Sequence, residues 1–113
     1  AYHDYGTPST QTECEALGQS CQKANNIILR NHGLLTVGRS IPSTFSRMYR
    51  LEHACSAQVA AMSMNDELIQ ISPQVLAEVE KKYGDFDTNL ESGQLEWSAM
   101  LRLLDRLGTD YRR

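Results

Sequence analysis

A chain of 113 residues is the size of one ordinary domain and long enough to bury a core. Apolar residues make up 41% and charged residues 22%, and the net charge of -3 lacks the basic excess that a phosphate-backbone binder needs, which excludes nucleic acid as a partner. No apolar run approaches the roughly 20 residues that cross a bilayer, and the opening AYHDYGTP has neither the basic nor the apolar region of a secretory leader, so the reading is a soluble, cytoplasmic protein with no membrane span.

The chain opens without methionine on Ala1-Tyr2-His3-Asp4-Tyr5, which reads as the end of a strand and implies a piece of something longer. Gly6 to Thr10 is turn chemistry, with a permissive glycine, a fixed-φ proline and hydroxyls that can cap. A helix is expected from Ser9 or Thr10, with Cys14, Leu17 and Cys21 on its apolar side. On one helix Cys14 and Cys21 lie roughly 10 Å apart along the axis, beyond disulfide reach. With Cys55 they make three cysteines and no C-x-x-C pair, so buried or idle thiols are expected.

Asn25-Asn26 closes that helix. Ile27-Ile28-Leu29 and Leu34 to Val37 are β-branched and apolar runs too short for helices, and they read as two strands. Between them, Asn31-His32-Gly33 offers a residue tolerant of unusual backbone angles and then a glycine free to take a positive φ. An antiparallel hairpin with His32 at its turn follows.

After Gly38, Ser40 is a candidate N-cap with Pro42 in the first turn of a helix that runs to about Met64. Its apolar stripe reads Ile41, Phe45, Met48, Cys55, Val59 and Met62, interrupted by Glu52, a carboxylate that needs a partner if that face is buried. Leu68 to Ile71 can add a short extended piece. Ser72-Pro73 starts another helix, burying Val75, Leu76 and Val79 and ending at Gly84. The last helix, from about Leu95 to Leu107, carries Trp97, Met100, Leu101 and Leu104 on one face and stops at Gly108. Asp110 to Arg113 is a frayed or docked tail.

Asp85 to Glu96 imitates a calcium loop, with oxygen ligands at alternate residues. Leu90 stands where the loop's sharp turn needs glycine, and Ser92 where an apolar residue pairs such loops, so a solvated acidic linker is the better reading. Of the histidines, His3 reads as a strand residue bonded to a neighbour and His53 as a boundary residue of the long helix. No serine or cysteine has a base partner visible in the sequence. His32 differs because a glycine-bearing turn presents it, a context suited to a metal or an anion. A zinc site that does chemistry takes three protein ligands, and ligand-like spacing supplies only this one.

The run Ile28 to Gly38, ILRNHGLLTVG, resembles the C-terminal half of the class II aldolase/adducin family. Phe45, Leu51 to Cys55, the opening AYHDY and the closing Trp97 to Leu107 are similar to the same family in the same order, the opening and closing segments being nearest its adducin-like branch. The resemblance implies an α/β fold, part of a three-layer α/β/α sandwich around a largely antiparallel sheet. Residues 1–113 are then the C-terminal half of one domain, with the N-terminal half apparently absent. It further implies that His32 is the last histidine ligand of a divalent metal, usually zinc, completed by a His-x-His pair from the preceding half, which also supplies a catalytic acidic residue; this sequence has no His-x-His. The implied chemistry is deprotonation next to a carbonyl with the metal stabilising the enediolate, as in aldol cleavage or epimerisation of a phosphorylated sugar or related hydroxy-ketone. By itself the chain is expected to be inactive. The competing reading is a non-catalytic adducin-like head serving oligomerisation and cytoskeletal or scaffold contacts; either reading implies a homo-oligomer. Two departures stand out: Ser43 replaces the capping carboxylate usual after the turn, and Gly6 to Gln19 is less charged and less helix-favouring than the family pattern.

Overall fold

The computed structural model describes residues 1–6, 10–64, 67–83, 93–108 and 110–111. In chain order the elements are β1 (Tyr2–His3), α1 (Gln11–Lys23), β2 (Asn26–Leu29), β3 (Gly33–Thr36), α2 (Ile41–Ser63), α3 (Pro73–Tyr83) and α4 (Gln94–Leu107). The expected α/β class is borne out. The residues divide into two compact units, one of Ala1–Gly38 with Arg47–Ile69 and one of Arg39–Ser46 with Gln70–Arg113.

The first unit is built on a three-stranded mixed sheet in the order β1-β2-β3. β2 is central: β1 runs parallel to it, with His3 level with Leu29, and β3 antiparallel, with Ile27 opposite Leu35 and Leu29 opposite Gly33. Side chains alternate across a strand, so Ile27 and Leu29 share one face with His3. That face is closed by α1. Ile27 is 0% exposed and Leu29 is also buried, and burial of each such side chain contributes about 1.5–3 kcal/mol.

Helix α1 starts where expected: the Thr10 hydroxyl accepts from the Glu13 N–H at 3.3 Å. Its half-buried positions are Glu13, Ala16, Leu17, Ser20 and Cys21, at spacings of three and four, while Cys14 is exposed. This differs from the expected stripe of Cys14, Leu17 and Cys21. The true stripe is rotated because two of its positions are polar, and their hydroxyl and carboxylate are held by His3. The three cysteines form no disulfide with one another.

The hairpin closes as expected, with one correction. The residue with positive φ is Asn31, at 55°, and not Gly33, which begins β3. The His32 N–H donates to the Leu29 carbonyl at 3.1 Å, so Asn31 occupies the third position of that turn, where an asparagine side chain tolerates the left-handed region.

At the start of α2, the Ser40 hydroxyl accepts from the Ser43 N–H at 3.3 Å and the Ser40 carbonyl accepts from Thr44 at 3.0 Å. This cap works without a reciprocal carboxylate. Ser43 itself is only 4% exposed, a place where a carboxylate would lose its solvation. Of the expected stripe, Phe45, Met48 and Cys55 are half-buried while Ile41, Val59 and Met62 are exposed, Val59 to 68%, and Glu52 faces solvent. Val75, Leu76 and Val79 of α3 are exposed as well. Periodicity identifies the apolar face of a helix and says nothing of what covers it.

The second unit has its own contacts. Ser72 caps α3, its hydroxyl accepting from the Val75 N–H at 3.4 Å. Residues Leu68 to Ile71 form no strand. At α4, Gly93 caps the start and Gly108 the end, both left-handed, with φ of 80° and 68°. Trp97 meets Phe45 edge to face at 5.3 Å, and Leu101 and Leu104 are half-buried while Met100 is exposed. The Tyr111 hydroxyl donates to Asp105 at 3.0 Å and ties Tyr111 to α4. The calcium-like segment lies outside the described residues up to position 92; Glu96 stands in the first turn of α4.

Candidate functional site

The site is built from the hairpin tip outward. His32 is exposed, and its ring lies stacked on that of Tyr5, with centroids 4.3 Å apart and an angle of 27° between planes. The stack covers a face of the imidazole. Its ring nitrogens lie on the edge, which such a stack leaves accessible, and edge nitrogens are the atoms that bind a metal or accept a proton.

Tyr5 is in turn held edge to face by His3, with centroids 6.5 Å apart and planes at 63°. His3 is 8% exposed and saturated: one ring nitrogen, Nδ1, is 3.0 Å from the Ser20 hydroxyl, and the other, Nε2, is 3.0 Å from Glu13 Oε1. Since a carboxylate only accepts, Nε2 carries the hydrogen and donates it. The same Glu13 oxygen also accepts from the Gly6 N–H at 3.1 Å. Glu13 therefore ties down both ends of the segment that carries Tyr5. A second strap comes from the hairpin: the Arg30 N–H donates to the His3 carbonyl at 3.0 Å, its guanidinium pairs with Asp4 at 3.1 Å, and its charge lies over the Tyr2 ring at 5.5 Å.

Ser20, His3 and Glu13 have the residue types of a nucleophilic triad, a grouping the sequence did not reveal. The arrangement is structural. Ser20 sits inside α1 with its hydroxyl donating to the Ala16 carbonyl at 3.2 Å, and the N–H groups around it belong to the helix ladder, so no oxyanion hole faces it. Recognising the pair needed one inference, that residues seven apart on a helix share a face and can reach the same strand histidine.

Hydrogen bonds from His3 and from the Gly6 N–H hold the Glu13 carboxyl below the usual glutamate range. A lowered folded-state pKa contributes stability that is complete above the unfolded value, near 4.3, and is lost as pH falls through the folded value. In an acid titration of unfolding free energy, Glu13→Gln is expected to flatten the slope below about pH 4.3 relative to the parent chain. Equal acid slopes would show that this lock does not form.

His53 is elsewhere in role. It is exposed on α2, its Nδ1 bonds the Tyr49 carbonyl at 2.9 Å, and its ring lies 4.2 Å from that of Tyr49. Among the described residues no group of three His, Cys, Asp or Glu side chains could hold a metal ion. His32 offers an exposed imidazole with an accessible ring edge, a donor type that zinc accepts, and a catalytic zinc takes three protein ligands. Among the described residues no helix is long and apolar enough to cross a membrane.

Residues 1–59, which include Tyr5, Glu13 and the whole hairpin, match the family model of the class II aldolase and adducin N-terminal domain. A Pseudomonas aeruginosa protein named for aldolase class 2 is 40% identical over 99% of this chain and 44% of its own length. Rat alpha-adducin is 31% identical over 96% of this chain and 16% of its own. In structure, the chain is similar to an aldolase II superfamily protein from Pseudomonas syringae, with a TM-score of 0.86 and 37% identity, over all of this chain and 45% of that one. The chain thus spans less than half the length of the relatives it matches. On a family match over its first 59 residues and a fold shared end to end at 37% identity, the chain belongs to the class II aldolase and adducin family.

Proposed function

We propose that residues 1–113 form the C-terminal half of a class II aldolase-like domain, and that His32 is one ligand of a divalent metal, expected to be zinc, whose other ligands come from the rest of the domain. The observation that carries this reading is the exposed imidazole at the tip of a β-hairpin, fixed by a ring stack that leaves its edge to solvent. A metal held there supplies Lewis-acid polarisation of a substrate oxygen. This chain's own part is to present the imidazole at a fixed place: β2 and β3 set the position of the turn, Asn31 sets its backbone, and Tyr5 sets the plane of the ring.

The reaction class is aldol cleavage or epimerisation of a phosphorylated sugar or a related hydroxy-ketone, carried out in the cytoplasm by a homo-oligomer. The kinship with adducin supports a second reading, a non-catalytic head that serves oligomerisation and cytoskeletal or scaffold contacts. Metal analysis of the full-length protein separates them. Stoichiometric divalent metal is expected in the parent, with at least about a tenfold loss of affinity in His32→Ala. A full-length protein that retains no metal, or one whose metal is indifferent to His32→Ala, would remove the aldolase-like reading and leave the scaffold.

A further inference from the structure

The geometry points to Tyr5 as a positioning residue for His32, held in place by the Glu13 clamp on α1; this rests on the reading of His32 as a metal donor. An exposed histidine at a hairpin tip has two free side-chain torsions, and a donor that must meet a metal from one direction loses affinity if its ring rotates. In such sites a hydrogen bond to the second ring nitrogen commonly fixes the plane. Here the plane is set through the face instead, by a ring 4.3 Å away and within 27° of parallel.

A platform works only if it is itself fixed, and the surroundings of Tyr5 meet that requirement from both sides. Two residues before it, His3 is buried and bonded to Glu13 and Ser20 at 3.0 Å each. One residue after it, the Gly6 N–H is bonded to the same carboxylate oxygen at 3.1 Å. His3 also supports the Tyr5 ring laterally. The pairing of Arg30 with Asp4 and with the His3 carbonyl joins this segment to the hairpin whose next residues are Asn31 and His32. The two rings are therefore carried on backbone segments tied to each other and to α1. The contact uses the Tyr5 ring and not its hydroxyl, so phenylalanine should replace it and an aliphatic side chain should not.

The test has two readouts on the full-length protein. The ring protons of His32, assigned by their loss in His32→Ala, are expected upfield of free imidazole because they lie over an aromatic face. Tyr5→Phe should keep that shift and Tyr5→Leu should abolish it. In a zinc titration, Tyr5→Leu should weaken affinity roughly 10-fold and Tyr5→Phe by less than about threefold. Unchanged His32 shifts in Tyr5→Leu would overturn the stack. Shifts that move while zinc affinity holds would overturn the positioning role and leave His32 as a ligand. Zinc binding indifferent to His32→Ala would overturn the ligand reading and the positioning role with it.

Discussion

Gly93→Ala is expected to destabilise the second unit by roughly 2–5 kcal/mol, of which about 1–2 kcal/mol is the cost of a left-handed backbone for an L-residue and ~1–3 kcal/mol the cost of overpacking. The φ of 80° at Gly93 accounts for the first part. For the second, a Cβ built there falls 2.3 Å from the Pro42 carbonyl oxygen, 2.7 Å from its carbon and 3.1 Å from the Ser46 Cβ. The nearest of these are backbone atoms in the first turn of α2, which cannot swing aside as a side chain can. The close approach also has a purpose one turn along: the Gly93 carbonyl accepts from the Trp97 N–H at 2.9 Å, and Trp97 meets Phe45, three residues beyond Pro42. Gly108→Ala is the control. It has a φ of 68° but open space around the added methyl, so it should cost only the conformational part. Urea unfolding followed by the emission of the single tryptophan reads both. Equal midpoints for the two variants would contradict the packing argument.

That glycine marks the boundary of what the sequence could say. Hydrophobic runs and turn residues located all four long helices, both strands of the hairpin and the caps at Thr10, Ser40 and Ser72, because each of those rests on local chemistry. Gly93 was not legible, since a left-handed residue pressed against Pro42 is a tertiary fact between positions far apart in the chain. The same holds for the site. His32 stood out because the turn that presents it is local. Tyr5, Glu13 and Ser20 did not, because their roles depend on β1 lying beside β2 and on the rotation of α1 about its axis. The misjudged rotation came from reading Cys14 as a buried apolar mark, when the sheet-facing stripe includes a glutamate and a serine that a hydrophobicity pattern discounts. The apolar faces of α2 and α3 were identified correctly, and the exposure of Val59 and Met62 on α2 and of Val75, Leu76 and Val79 on α3 was invisible because amphipathicity does not name its partner.

Ile27→Ala should cost about 2–5 kcal/mol, the range for truncating a large buried aliphatic side chain. Ile27 is the one large side chain that is fully buried among the described residues, it stands on the central strand, and it faces α1. Neighbours can relax into the space only by shifting β1 or α1, and both are bound by the His3–Glu13–Ser20 lock. With total stabilities of small domains at 5–15 kcal/mol, such a loss removes a large share of the fold. His32→Ala is the opposite case, an exposed residue whose removal forfeits only its stack with Tyr5, so its stability should stay within about 1 kcal/mol of the parent. The pair of variants therefore separates presenting the imidazole from being the imidazole. Chemical denaturation should show Ile27→Ala with a sharply lowered midpoint and His32→Ala with a near-parental one, while the metal affinity of the full-length protein should fall most in His32→Ala. If His32→Ala instead unfolds as readily as Ile27→Ala, the hairpin histidine is part of the scaffold, and its exposed edge is not what the fold is arranged to display.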